Sequence, residues 1–201
     1  MVEIIKHESE RYLIGDLGLT QLANNSSLDN QIYGVIPYIA PEILNSGDFS
    51  KESDIYSMGM IIWELTTGCK PFTNIEHGAN FIYKIIDGKR PEITKDTPED
   101  FANLMRKCLD SDPKKRPSAK EIHETVNLWL SMEDAKDHIK IFNQAEEMRL
   151  ELIKLKMLGP NFNEKPHSKA IYTSKPLSFF ISNSSMSSSN SMYNITFIYL
   201  Y

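Results

Sequence analysis

Cysteine is scarce in this sequence: Cys69 and Cys108 are its only 2 in 201 residues. Their separation fits neither a disulfide framework nor a metal-ligand spacing, so they read as reduced, buried thiols of a cytosolic protein. Long apolar runs are missing as well. No stretch of about 20 apolar residues is available to span a membrane, and the opening MVEIIKHESE has no apolar block of the secretory type. The Asn-x-Ser/Thr sequons at Asn24, Asn25, Asn183 and Asn194 are therefore expected to carry no sugar. A basic excess is absent too: 22 Lys and Arg stand against 27 Asp and Glu, a net charge of −5. That sign disfavours a nucleic-acid-binding surface. What remains is ordinary globular chemistry, 41% hydrophobic and 24% charged. This suits one medium domain with a tail, or part of a larger domain.

Composition divides the chain in three. Residues 1–131 carry apolar periodicity, caps and turn signals; 132–158 read as one charged helix; 159–201 turn Pro-, Ser- and Asn-rich and lose periodicity. The start reads as a hairpin, Val2 to Ile5 and Tyr12 to Gly15 around a polar turn. From Asp16 to Pro41 no regular pattern persists, and a long irregular segment inside a compact domain is usually functional. A short helical turn follows at Pro41 to Asn45.

The clearest helix begins near Ser50 or Ser53 and carries Ile55, Met58, Ile62 and Leu65, widened by Ile61 and Trp63. Apolar on most sides, it reads as a buried central helix ending at Gly68. A weaker helix is expected over roughly Glu76 to Asp87. Thr97-Pro98-Glu99-Asp100 signals another, with Thr97 as cap and Phe101, Leu104, Met105, Cys108 and Leu109 on one face. Ser118 with Glu121 forms a capping box before a helix bearing Ile122, Val126, Trp129 and Leu130. In the charged helix, Ile141, Ala145, Met148, Leu152 and Leu155 form a short heptad-like seam, which fits packing on the domain or binding a partner helix. The Asn161 to Asn194 stretch is expected to be disordered. The β-prone end NITFIYLY could bind a partner or aggregate.

One triplet poses a question. Asp16-Leu17-Gly18 follows a strand, and Asp and Gly are ordinary turn residues. The residues after it give the triplet meaning: Tyr38-Ile39-Ala40-Pro41-Glu42, then Ser53-Asp54-Ile55-Tyr56-Ser57-Met58-Gly59, Trp63-Glu64-Leu65, Pro71-Phe72 and Asp112-Pro113-Lys114-Lys115-Arg116-Pro117. In that order these motifs resemble the C-terminal lobe of a eukaryotic protein kinase, of the tyrosine-kinase-like group, over about residues 1–131. The implied fold is mainly α, a kinase C-lobe with a short β-hairpin at its N-terminal edge, then a helix and a disordered tail.

The resemblance implies roles. Asp16 matches the Asp of the Asp-Phe-Gly turn, which holds the Mg²⁺ that bridges the ATP phosphates. Leu17 replaces Phe but keeps an apolar plug, and Gly18 lets the chain swing into the loop. Residues 16–42 become the activation segment, anchored at Ala40, Pro41 and Glu42. Glu42 is expected to pair with Arg116, and Asp54 to accept hydrogen bonds from the catalytic-loop backbone. Thr20, Ser26, Ser27 and Tyr33 lie where activation-loop phosphates often sit. Gly34-Val35 replaces the Gly-Thr usual in serine/threonine kinases, and the Lys/Arg-Trp of tyrosine kinases is absent too, so Ser/Thr against Tyr stays open.

No G-x-G-x-x-G, V-A-I-K or His-Arg-Asp occurs in these residues, although phosphoryl transfer in the family uses all three. The expectation is a partial kinase domain, inactive by itself, that works on a protein substrate or with a signalling partner in the cytoplasm. ATP and Mg²⁺ belong to the complete kinase; no nucleic acid or membrane is expected as a partner. The alternative is a non-catalytic, kinase-like interaction or scaffold module, which the reading frame upstream of Met1 would distinguish.

Overall fold

The computed structural model describes residues 3–6, 12–15, 32–46, 49–130, 135–157 and 165–182. Strands β1 (Glu3–Lys6) and β2 (Tyr12–Gly15) form an antiparallel hairpin in the register Glu3 opposite Gly15 and Lys6 opposite Tyr12. The rest of the described fold is helical: α1 (Pro41–Ser46), α2 (Lys51–Thr67), α3 (Ala79–Ile86), α4 (Glu99–Cys108), α5 (Ala119–Leu130), α6 (Ala135–Lys154) and α7 (Leu177–Ser182). A second antiparallel pair joins β3 (Tyr33–Gly34) to β4 (Lys175–Pro176).

Helix α2 is the axis of the domain. Ser50 caps it, accepting from the Ser53 N–H at 3.1 Å while Ser53 Oγ accepts from the Ser50 N–H at 3.1 Å. This reciprocal arrangement satisfies two donors that helix geometry leaves orphaned. Gly68 ends the helix with φ of 65°, a left-handed conformation that a side chain resists. One face of α2 (Tyr56, Met60) packs with the segment 32–46, α3 and α7; the other (Ile55, Ile62, Trp63) packs with α4 and α5. Gly59 allows close approach to α4, since a Cβ there would lie 2.7 Å from Cys108 Cβ. Trp63 also donates from its indole to the Glu92 carbonyl at 2.7 Å, so its polar edge is paired inside the core.

Four expectations change. Thr97 does not cap α4: its hydroxyl meets that of Thr94 at 3.1 Å, and Pro98 takes the cap position with no side-chain hydrogen bond. Leu65 is exposed, although Trp63 and Thr67 on either side of it are buried. Ser118 and Glu121, by contrast, do form the box at the start of α5: Glu121 accepts from the Ser118 N–H at 2.7 Å, and Ser118 Oγ accepts from the Glu121 N–H at 3.2 Å. In α6 the anchor is not the heptad seam, whose Ile141, Met148 and Leu155 are exposed. Phe142 packs edge-on to Phe101 at 5.1 Å, and Phe101 stacks on Trp129 at 4.7 Å, so three rings tie α4, α5 and α6 together.

The fourth difference is the tail. The Asn161 to Asn194 stretch is expected to be disordered, yet residues 165–182 fold onto the domain, with Leu177 and Phe180 buried in the cluster that holds Ile36, Ile39, Phe81 and Ile85. Apolar side chains at 171, 177 and 180, set among Ser, Thr and Lys, are enough to fill a groove that the domain leaves open. The Asn183 to Asn194 stretch and the NITFIYLY end lie outside the described residues.

Candidate functional site

The site is the end of the irregular segment and what holds it. After β3 the chain makes a 3-10 turn, Ile36–Tyr38, started by Pro37, whose fixed φ suits it. Pro41 then opens α1, where its missing N–H costs nothing. Val35, Ile36, Ile39, Ala40, Ile43 and Leu44 are all buried, so this stretch is core rather than loop.

Polar groups fix it to α2 and to the loop before α5. Ser57 Oγ donates to the Tyr38 carbonyl at 2.8 Å, and the Tyr38 hydroxyl donates to the Glu64 carboxylate. Burial, then the Glu64 carboxylate, pushes the Tyr38 phenol well above its ordinary range. Arg116 reaches Glu42 with both terminal nitrogens, at 2.6 Å to Oε1 and 2.7 Å to Oε2. It also donates to the Glu52 and Asp110 carbonyls, each at 2.9 Å. The Arg116 side chain is 0% exposed and that of Glu42 21%. Burial pushes the Glu42 carboxyl up, but the Arg116 hydrogen bonds, a backbone hydrogen bond and the charges of Arg116 and Arg90 outweigh it and hold it below its ordinary value. Such a fork fixes geometry because guanidinium and carboxylate meet in one plane.

Arg90 belongs to the same cluster, although no sequence signal singled it out beyond its place before Pro91. It donates to the Leu109 and Ile85 carbonyls, each at 2.9 Å, and lies 5.0 Å from the centre of the Tyr56 ring. Arg116 lies 5.2 Å from that same ring. Burial pushes the Tyr56 phenol up to about 12. The buried Arg116 guanidinium and the half-buried one of Arg90 thus share the Tyr56 ring.

The remaining predicted residues stand apart. Asp54 is exposed in the first turn of α2, where an acid complements the helix dipole. Tyr33 is 48% exposed at the β3 edge. Asp16, Leu17, Gly18, Thr20, Ser26 and Ser27 lie outside the described residues. Among the described residues no cluster of three or more His, Cys, Asp or Glu could hold a metal ion, and no helix is long and apolar enough to cross a membrane.

Nearby, Phe72 adopts a φ of 60°, rare for an aromatic residue. Its ring is buried 4.9 Å from that of Phe81, and its carbonyl lies 3.1 Å from His77 Nε2. Packing and that hydrogen bond hold a conformation the residue would not choose alone.

Comparison with known proteins supplies the family. The profile of the protein tyrosine and serine/threonine kinase family matches residues 3–126. The chain is 33% identical over 136 residues to mitogen-activated protein kinase kinase 1 of Arabidopsis thaliana, covering 63% of this chain and 38% of that protein. It is 32% identical over 133 residues to a putative serine/threonine-protein kinase/receptor, R818, of Acanthamoeba polyphaga mimivirus, covering 65% of this chain and 8% of that protein. It is 34% identical over 104 residues to human mitogen-activated protein kinase kinase kinase 7, covering 51% of this chain and 16% of that protein. The chain thus spans well under half the length of each of these relatives. With the profile matched over more than half of its residues, the chain belongs to the protein tyrosine and serine/threonine kinase family.

Proposed function

We propose that residues 1–131 are the activation segment and C-terminal lobe of a protein kinase domain that transfers the ATP γ-phosphate to protein Ser or Thr hydroxyls. Residues 132–158 are then a helical extension and 159–201 a tail. The observation that carries this reading is the Glu42–Arg116 fork, 74 residues apart in sequence and bonded through both oxygens. It locks the end of the segment onto the loop at 110–116, which gives a protein substrate a rigid floor. Ser/Thr specificity is favoured by the mimivirus relative, whose name is that of a putative serine/threonine-protein kinase/receptor. Two free thiols support a cytoplasmic setting.

In this reading Asp16 would hold the Mg²⁺ that accompanies ATP, and the metal would neutralise phosphate charge. The described residues contribute architecture rather than chemistry: they anchor, orient and exclude water around the segment that presents the substrate. The 201 residues contain no G-x-G-x-x-G, V-A-I-K or His-Arg-Asp motif, so this polypeptide by itself is expected to transfer no phosphate.

The test has two arms. Purified chain with radiolabelled ATP, Mg²⁺ and a generic protein substrate is expected to incorporate no label. Placed in frame after the N-terminal lobe and catalytic loop of the Arabidopsis relative, the chain is expected to support Mg²⁺-dependent transfer that Asp16→Asn abolishes. A folded but inactive fusion would overturn the phosphotransferase reading in favour of an interaction module. Turnover by the chain alone would overturn the claim of inactivity.

A further inference from the structure

We propose that residues 165–182 are a cis-acting occluding peptide on the edge of the activation segment, in the place where an external extended peptide of the same chemistry would dock. The word activation rests on the kinase reading; the groove and its occupant do not.

The occupant is seated by its backbone and by two apolar anchors. β4 adds to β3 as an antiparallel strand, with Tyr33 opposite Pro176 and Gly34 opposite Lys175. The Leu177 N–H continues the ladder to the Ile32 carbonyl at 2.8 Å. Leu177 and Phe180, three residues apart on one face of α7, enter the core cluster that contains Ile36, Ile39 and Phe81. Strand addition of this kind draws affinity from main-chain hydrogen bonds and specificity from side-chain pockets. One strand edge accepts one strand, so a docked tail excludes any other peptide from β3.

The upstream half of the tail is held by polar groups at the rim. The His167 N–H donates to the Thr73 carbonyl at 2.8 Å, and the His77 N–H to the Lys169 carbonyl at 3.1 Å. The Ile171 N–H donates to His77 Nδ1 at 3.1 Å, the Tyr172 hydroxyl to the Pro71 carbonyl at 2.6 Å, and Lys169 pairs with Glu76 at 2.8 Å. Of these contacts the exposed Lys169–Glu76 pair exchanges readily with water while His77 is itself buried, and Pro176 removes one donor from an already two-residue strand. The occupant is thus specific but releasable. The ligand class follows from the seated sequence: an extended Lys-Pro followed by a helical turn that carries a Leu and, three positions on, a large aromatic residue.

The experiment uses the full chain and a fluorescein-labelled synthetic peptide of residues 165–182, followed by anisotropy without nucleotide. A cis-tethered competitor acts at high effective concentration. The L177A/F180A chain is therefore expected to bind the peptide at least about tenfold more tightly than wild type, and the peptide carrying the same two changes is expected not to bind. Where L177A/F180A loses native tryptophan emission, K169A/Y172F, which touches only the rim, carries the comparison. Equal affinity of wild type and variant, or no binding to a natively folded variant, overturns the proposal. Phosphotransfer does not enter the readout, so a failed titration leaves the kinase reading standing, and an inactive fusion leaves this proposal standing.

Discussion

Replacing Arg116 by Ala tests the anchor most directly. The guanidinium is fully buried and donates to both oxygens of Glu42 and to the carbonyls of Glu52 and Asp110. Its removal leaves a carboxylate and two carbonyls without their donor. Breaking a buried pair from one side costs about 3–5 kcal/mol. Glu42 keeps 21% exposure, so water recovers part of its solvation and the lower end, about 3 kcal/mol, is expected. Against a domain stability of about 5–15 kcal/mol, that is a large fraction. Urea denaturation of the full chain, followed by Trp63 and Trp129 emission, would read it as a lower midpoint at unchanged slope. Arg116→Lys should fall between, because an ammonium cannot grip both oxygens. The acid limb carries a sign. The Glu42 carboxyl sits below its ordinary 4.5, so its contribution is present above that pH and is lost as pH falls through the lower folded value. Glu42→Gln should flatten this component. A loss below about 1 kcal/mol for Arg116→Ala would refute the claim that the fork is a buried, mutually dependent pair.

Other perturbations probe the packing around it. Gly59→Ala would put a Cβ 2.7 Å from that of Cys108. Overpacking of about 1–3 kcal/mol should exceed the roughly 1 kcal/mol that helix propensity returns; a stabilised variant in urea denaturation would show that α2 and α4 are not so close. Burial pushes the Cys108 thiol up to about 11 and raises that of Cys69, so a thiol reagent at pH 7.5 should label Cys108 only on unfolding and Cys69 slowly. Rapid labelling of both in the native chain would contradict this core. Burial, against hydrogen bonds to the Ile171 and Phe72 carbonyls and with some help from the charge of His167, holds the His77 ring below its ordinary 6.5. The unfolded ring therefore binds the proton first, and stability falls as pH drops through 6.5 towards the folded value. Amide protection factors of residues 167–172, corrected for the intrinsic slowing of exchange in acid, should fall on that acidification, and His77→Gln should remove the fall; protection independent of pH would show that the ring does not hold the tail.

The sequence was legible where one local signal dominates. The Ser50–Ser53 cap, the Gly68 stop and the Ser118–Glu121 box each depend on residues within four positions, and each forms. Thr97 misled because the same hydroxyl can bond Thr94 instead, a choice that local sequence does not decide. The Glu42–Arg116 contact lies far beyond local rules and was reached only through motif order. Arg90 carried no such motif, although its geometry around Tyr56 parallels that of Arg116. The tail was missed for a thermodynamic reason. Its composition cannot bury enough surface by itself, but Leu177 and Phe180 need only complete a groove whose walls the domain has already built. In α6 the heptad spacing pointed to one face, yet an aromatic site at Phe101 and Trp129 selected Phe142 and so rotated the helix.

The two ends of the segment 32–46 are held by unlike means, and the difference sets the order in which it can open. Its C-terminal end is tied by a desolvated ion pair whose partners both suffer when parted, so partial release gains nothing. Its N-terminal end is held by a two-residue ladder, one further main-chain bond at Leu177, the apolar anchors Leu177 and Phe180, and no ion pair to the segment among the described residues. Between them the 3-10 turn buries Ile36 and Pro37 and hangs from α2 through Ser57 and Glu64. Local opening follows the weakest cooperative unit. Release of the tail therefore precedes release of α1, and it bares the β3 edge while Glu42 still holds the floor beneath it. A surface that opens on one side of a fixed anchor can exchange one bound peptide for another without the domain unfolding.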